Sequence, residues 1–315
     1  MEPDRIIVVA GPTASGKTAL SVALAKALRG EVISADSMQL YRGMDVGTAK
    51  VTPEEMEGVP HHMLDVAEPW ESFSAARYTA LADPILRDIL DRGKTAIVTG
   101  GTGLYVDALI QGRSFAPCPA TGKREELERE ADEKGMEAML EQLRAVDPDS
   151  AARLHLSDRK RILRALEVYE ETGQTITAHN LATKQIPDRY EPFWIGLDFN
   201  EREELYRRID RRVDVMLEKG LLEEIRGLLD QGVPRDCTAM QAIGYKEFLP
   251  VLDGTASLDD AAALVKRESR RYAKRQRTWF RRNEKIHWIL RHDPADRETV
   301  LREAIALLSD FDGQP

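Results

Sequence analysis

The sequence predicts an α/β fold: a parallel sheet covered on both faces by helices, interrupted by a mainly helical segment. Three observations carry this. Short β-branched apolar runs at residues 5–10 (RIIVVA), 31–35 (EVISA) and 95–99 (TAIVT) are separated by stretches of helical spacing. Continuous apolar strands alternating with helices are what a sheet buried on both faces requires. Each run stops at a residue suited to a turn, respectively Gly11, Asp36 and Gly100-Gly101. After Gly112 the texture changes to a proline-containing stretch and then to charged amphipathic segments without strand patterns.

Taken in order, the first run leads through a glycine loop to a helix over 17–28, and a helix over 75–91 turns at Gly93 into the third run. Residues 115–120 read as irregular, 123–146 as an amphipathic helical stretch and 158–171 as another helix. A strand at 193–199 (FWIGLDF) returns the chain to the sheet. Helices at 201–229 and 258–282 precede a last short strand at 287–290. The core is therefore assigned to residues 1–112 and 190–315, and the helical insertion to residues 113–189. No internal repeat or low-complexity segment is present.

With 54 acidic against 45 basic residues, the 315-residue chain has a net charge of −9. Attraction of the whole molecule to nucleic acid is thus excluded, and any such binding must come from a local patch. The two cysteines, Cys118 and Cys237, lie far apart with no His or Cys at ligand spacing. That points to a reducing compartment and away from a disulfide or zinc framework. The first residues run into an apolar strand without a signal-type segment, and no stretch approaches the roughly 20 apolar residues of a membrane span. A soluble cytoplasmic monomer, not membrane-bound, is expected.

The most informative motif is Gly11-Pro12-Thr13-Ala14-Ser15-Gly16-Lys17-Thr18, which fits G-x-x-x-x-G-K-[ST] between a strand and a helix. Such a loop turns its N–H groups onto phosphate oxygens, Lys17 adds charge, and Thr18 is placed to hold Mg2+. The core is therefore read as P-loop NTPase-like. The loop alone does not separate a kinase from an ATPase or another phosphate-handling enzyme. The third run ends in Thr99-Gly100-Gly101, without the carboxylate that would help an NTPase hold magnesium. That suits a reaction in which diphosphate departs and the loop stabilises its charge.

Asp36 follows the second strand and Thr102 the third, so both reach the carboxyl edge of the sheet, the usual ligand crevice of such folds. For Asp36, a catalytic carboxylate and a cap on the following amides are equally compatible with position. Between Lys266 and Lys285 lie ten basic residues against Glu268 and Glu284, with Tyr272, Trp279 and Phe280 interleaved. This local reversal of charge fits RNA, with Lys274, Arg277 and Arg281 as candidate contacts. Lys160, Arg161 and Arg164 form a smaller patch. Adjacent His61 and His62 diverge and have no third ligand nearby, so packing is expected of them. Tyr41, Trp70 and Tyr78 are expected in the core or a pocket wall.

The ordered set GPTASGKT (11–18), DSMQLYRGMDVGTAK (36–50), PHHMLD (60–65), GGTGLY (100–105), RILRALEVYEETG (161–173), RRIDRRVDVMLEKGLLEEI (207–225), QAIGYKE (241–247) and KRQRTWFRR (274–282) resembles the tRNA dimethylallyltransferase (tRNA isopentenyltransferase) family. The resemblance covers most of the chain. It implies transfer of a dimethylallyl group from dimethylallyl diphosphate to N6 of the adenosine 3′ of the anticodon in tRNA. Asp36 would be the general base, Thr102 would orient the amine, and Lys17, Thr18 and Arg212 would hold the diphosphate. It further implies tRNA contacts by Asp36, Ser37, Met38, Gln39 and Thr102, by Arg124, Lys160, Arg161, Ile162, Leu163 and Arg164 in the insertion, and by Gln241, Ala242, Ile243, Gly244, Tyr245 and Lys246. Where the family has an acidic turn before Arg124, this chain has Ala120-Thr121-Gly122-Lys123. A small-molecule kinase and an adenylate prenyltransferase share the loop; neither needs a basic C-terminal helix.

Overall fold

The apolar run that opens the chain forms strand β1 (Asp4–Ala10), in which every residue from Ile6 onward is buried. The structure, a computed structural model, describes residues 4–112, 115–116, 121–291 and 297–312. Cys118 and Ala120 lie outside the described residues, as do the first three. After β1 come α1 (Lys17–Leu28), β2 (Glu31–Ser34), α2 (Pro53–Met56), β3 (His61–His62), α3 (Ala75–Asp91), β4 (Ala96–Gly100) and α4 (Gly103–Gln111). Five helices follow: α5 (Lys123–Lys134), α6 (Met136–Val146), α7 (Pro148–Ala151), α8 (Arg159–Thr172) and α9 (Ile176–Lys184). Then come β5 (Tyr190–Phe199), α10 (Arg202–Glu218), α11 (Leu221–Asp230), α12 (Leu249–Leu252), α13 (Leu258–Phe280), β6 (Ile286–Arg291) and α14 (Arg297–Asp312).

The six strands are all parallel, in the order β3-β2-β4-β1-β5-β6. Parallel pairing places every strand's carboxyl end on one edge, so the turns after β1, β2 and β4 converge there. Side chains alternate between the faces: Ile7 and Val9 join Leu20 and Leu24 of α1 and Val300, Ala304 and Leu308 of α14 in one core. At the carboxyl end of β5, Phe199 packs in a separate cluster with Leu205 and Ile209 of α10 and Ala273 of α13.

The chain divides into two compact units, Met1–Ile110 with Arg189–Pro315, and Gln111–Asp188. Every secondary-structure element among the second unit's described residues is a helix, and the unit has its own core, including Leu127, Met139, Leu143, Ile162, Leu163 and Leu166. Among the described residues, no helix is long and apolar enough to cross a membrane.

Several elements differ from the sequence expectation for identifiable reasons. The stretch 123–146 is two helices, because Gly135 takes φ 82° between them; 201–229 is likewise broken at Gly220, φ 92°. Such backbone suits glycine and ends a helix. The basic helix stops at Phe280. Strand β3 has two residues, too few to make a pattern, and α14 is an additional element whose buried stripe Val300, Ala304, Leu308 has helical spacing. Tyr41 and Tyr78 are fully buried as expected, whereas Trp70 is exposed.

Ile195 of β5 is fully buried beside β1. Ile195→Ala is expected to cost about 2–5 kcal/mol, the range for truncating such a side chain to alanine. The urea unfolding midpoint with an unchanged slope reads this directly.

Candidate active site

At the end of β1 the backbone must turn sharply, and the sequence supplies glycine where nothing else fits. Gly11 has φ 146°, and a Cβ there would lie 2.3 Å from the Leu197 carbonyl oxygen. Gly16, at φ 97°, precedes α1, so the loop delivers Lys17 and Thr18 at that helix's first turn. Ala14 at φ 63° is a non-glycine residue in left-handed backbone, a local strain that surrounding contacts must hold. Two arginines do so: Arg208 Nε of α10 donates to the Ala14 carbonyl (2.9 Å), and a guanidinium nitrogen of Arg291, at the end of β6, donates to the Ser15 carbonyl (3.0 Å). Lys17 Nζ donates to the Pro12 carbonyl at 2.7 Å.

Beside this loop lies a cavity of about 550 Å³, lined by Lys17, Thr18, Asp36, Gln39, Arg212 and Tyr272 among others. Thr99, Gly100 and Gly101 at the end of β4 form another wall. Walled by protein, the Lys17 ammonium is brought down to about 7, by burial first and then by the charge of Arg212, against the opposing pull of Asp36. Burial also lowers Arg212, whose guanidinium donates to the Thr48 carbonyl at 3.0 Å. Two cations and one carboxylate, all half-buried, therefore face one cavity, an arrangement that favours a polyanionic ligand.

Asp36 takes the capping role and also lines the cavity. Its Oδ1 accepts from the Met38 and Gln39 amides at 2.9 and 3.3 Å, which fixes the carboxylate while it lines the cavity. Thr102 Oγ1 accepts from the Ser37 amide at 3.1 Å, tying the end of β4 to the turn after β2. Gln39 Nε2 reaches the Thr48 and Ala49 carbonyls, both at 3.3 Å. The next three amides are gathered by Glu224 of α11. Its Oε2 accepts from Asp45 (2.8 Å) and Val46 (2.6 Å), and its Oε1 from Gly47 (3.0 Å) and the Tyr245 hydroxyl (2.6 Å).

The structure thus brings the loop 11–18, Asp36, Gln39, Thr102 and Arg212 together in one unit. Sequence reasoning passed over Arg208, Gln276 and Glu224, and placed Tyr272 among the aromatics of the basic helix and not at the cavity. The spacing of Arg208 and Arg212, one helical turn apart in RRIDRR, was the available signal for the first. Other expected contact residues divide by burial. Ile162 and Leu163 are fully buried in the helical unit's core, so the outward side chains of that stretch are Lys160, Arg161 and, half-buried, Arg164. Arg124 is paired with Glu128 at 2.9 Å. Ala242, Gly244 and Tyr245 are buried, Ile243 is half-buried, and Gln241 and Lys246 are exposed.

The basic helix has two faces. Lys266 pairs with Asp214, and Arg270 with Asp210 at 2.6 Å. Arg277 pairs at 2.7 Å with Asp198, whose side chain is only 1% exposed, and Arg281 approaches the same carboxylate at 3.6 Å. Arg270 and Arg277 thus hold α13 against α10 and β5, so Arg277, expected as an RNA contact, is engaged by a buried carboxylate. Arg267, Arg271, Lys274, Arg275 and Arg282 stand on the outward side. His62 is engaged by Glu31 at 2.8 Å and His61 by the Val59 carbonyl at 2.9 Å. Among the described residues no three His, Cys, Asp or Glu side chains cluster as a metal site. Cys237 is a free thiol.

A P-loop fixed by arginines, a carboxylate after β2 and no carboxylate closing β4 define a P-loop transferase site. The comparisons with known proteins agree. The family model IPP transferase matches residues 39–283. The tRNA dimethylallyltransferase of Geobacillus thermodenitrificans is 51% identical over 292 residues, 92% of each chain. That of Symbiobacterium thermophilum is 48% identical over 306 residues, covering 97% of this chain and 95% of its own. Among solved structures, a eukaryotic dimethylallyltransferase acting on tRNA superposes with TM-score 0.85 at 32% identity, covering 99% of this chain and 80% of that one. The tRNA isopentenylpyrophosphate transferase of Staphylococcus epidermidis gives TM-score 0.71 at 40% identity, covering 98% and 99%. The chain belongs to the IPP transferase family.

The depressed Lys17 makes a prediction about pH. Above about pH 7 the ammonium is largely neutral in the empty site. A bound polyanion favours its charged form, so binding takes up a proton and affinity falls as pH rises through 7. Calorimetry of inorganic pyrophosphate in buffers of different ionisation enthalpy is expected to show this uptake, and Lys17→Arg, charged throughout, to abolish it.

Proposed function

We propose that this protein transfers a dimethylallyl group from dimethylallyl diphosphate to the exocyclic N6 of the adenosine 3′ of the anticodon in tRNA, releasing diphosphate. The observation that carries the reading is the single cavity in which Lys17 and Arg212 face Asp36. In the step proposed, the C1–O bond of the allylic diphosphate breaks as an N6–C1 bond forms. The electron pair leaves with diphosphate, into the loop amides, Lys17 and Arg212. The proton of N6 passes to Asp36, for which Oδ2 is assigned, since Oδ1 already accepts two amides. Adenine's amine is a weak nucleophile, its lone pair being drawn into the ring, so the base matters.

Magnesium fits as an ion carried mostly by the diphosphate and water. Thr18 supplies a hydroxyl and Asp36 lines the same cavity, but β4 brings no carboxylate. When bound, the ion would neutralise charge on the leaving group. The outward cations of α13 and of the 160–164 stretch are assigned to the RNA backbone, and the long α13 is what a kinase reading leaves without purpose. The protein is proposed to act as a monomer, working where tRNA is found in the cytoplasm.

The reading is tested by digesting tRNA to nucleosides after incubation with the protein and dimethylallyl diphosphate. An N6-prenylated adenosine is expected, and its absence alongside brisk ATP turnover would sink the proposal. Asp36→Asn is expected to lower single-turnover prenylation by about 10²–10⁴ while tRNA binding survives. Charge reversal at Arg271 and Lys274 is expected to weaken tRNA binding and to reduce the salt slope by about one for each phosphate no longer neutralised. Arg277→Glu instead leaves Asp198 buried without its main partner, at a cost of about 3–5 kcal/mol in stability.

A further inference from the structure

Besides Arg277, the motif segment that reads as an RNA-binding helix contains a polar residue that faces inward, Gln276. Gln276 of α13 is 5% exposed. Its Oε1 accepts from the Thr13 amide of the P-loop at 2.8 Å, and its Nε2 donates to the Gly101 carbonyl at 3.0 Å, on the residue before Thr102. One side-chain amide thus spans from the phosphate loop after β1 to the turn after β4. No other residue type of that length offers both an acceptor and a donor: ionised glutamate repels the carbonyl, lysine cannot accept, and methionine cannot donate and accepts only weakly. The fit is close on both sides. A Cβ on Gly101 would lie 2.1 Å from Gln276 Nε2, so glycine is required there for the amide to reach. One helical turn earlier, Tyr272 lines the cavity. Burial and the Asp36 charge push its phenol up to about 12, against the lowering influence of Thr102 and Gln276 on its hydroxyl. The neighbouring Arg277 anchors this turn of α13 through the buried Asp198.

We infer that Gln276 is a positioning residue for the diphosphate cradle, and not an RNA contact: by holding Thr13 to Gly101 it sets the spacing between the loop that grips the leaving group and the edge that presents Thr102. The inference deepens the proposed function and rests on it for the name of the donor. Its own content concerns polyphosphate binding at residues 11–18. A loop tethered at Thr13 from α13, at Ala14 from α10 and at Ser15 from β6 has three successive residues held from outside, which spares the ligand the ordering of a flexible loop. Removing one tether removes part of that preorganisation. An acidic replacement also adds a negative charge against the anion.

The test compares Gln276→Met and Gln276→Glu with the unaltered protein. It measures the affinity for inorganic pyrophosphate in magnesium buffer, the tRNA Kd and the Tm. Gln276→Met is expected to weaken pyrophosphate about tenfold, the value of one well-made hydrogen bond. Gln276→Glu should weaken it further, with tRNA Kd within about twofold of the unaltered protein in both. In steady state the same variants should raise the KM for the donor more than that for tRNA. Pyrophosphate affinity unchanged in both variants overturns the inference. So does a loss of pyrophosphate and tRNA binding together, in proportion to a fall in Tm, because that is what a merely structural side chain would give. If the unaltered protein binds pyrophosphate but never alkylates tRNA, the proposed function fails while the Gln276 comparison still stands or falls on its own numbers.

Discussion

Keeping two cations in a walled cavity at the edge of the sheet is the constraint on which the rest of this structure turns. Burial disfavours the charge on both Lys17 and Arg212, Arg212 bears further on Lys17, and Asp36 opposes the effect on each. Such a site is poorly satisfied when empty and well satisfied by a polyanion, so binding energy is concentrated where a leaving group would develop charge. The scaffold holds this arrangement by hydrogen bonds from every side. Arg208 and Arg291 grip loop carbonyls, Arg212 grips Thr48, and Glu224 gathers the amides of Asp45, Val46 and Gly47 just upstream.

These contacts explain why the long loop between β2 and α2 can lie at the site without regular structure. Its backbone groups are taken up by side chains: Gln39 at Thr48 and Ala49, Glu224 at 45–47, and Lys50 at the Tyr41 carbonyl with Asp45 and Asp65. Lys50 is almost fully buried, and a buried ammonium is tolerable because three oxygens surround it. Ala14 in the phosphate loop and Ala49 in this long loop are non-glycine residues at positive φ. Strain of that kind persists where many contacts over-determine the backbone.

Much of this was legible in the sequence, and the exceptions have physical causes. The apolar runs, the glycine loop and the aspartate after the second run located β1, β2, β4 and the crevice between them, because burial on both faces and a tight turn each leave a local pattern. Local pattern could not show which basic residues of α13 face inward, since that depends on acids 60 and 79 positions away, Asp210 for Arg270 and Asp198 for Arg277. Nor could it single out Gln276, whose partners Thr13 and Gly101 lie 263 and 175 positions distant. Helix breaks at Gly135 and Gly220 needed only the conformation of one glycine each, and a period of about 3.6 continued across them by coincidence of composition. Ile162 and Leu163 read as contact residues through family resemblance, while their apolar character already suited the core they occupy.

The central claim is that residues 11–18 and Arg212 hold a diphosphate whose esterified carbon points toward Asp36. A crystal structure with a thio-substituted, non-ionising analogue of dimethylallyl diphosphate tests it most directly. The account predicts both phosphates against the amides of the loop with Lys17 and Arg212 in contact, and the five-carbon group on the Asp36 side of the cavity. An analogue whose diphosphate lies away from the loop, or whose hydrocarbon points away from Asp36, would contradict it.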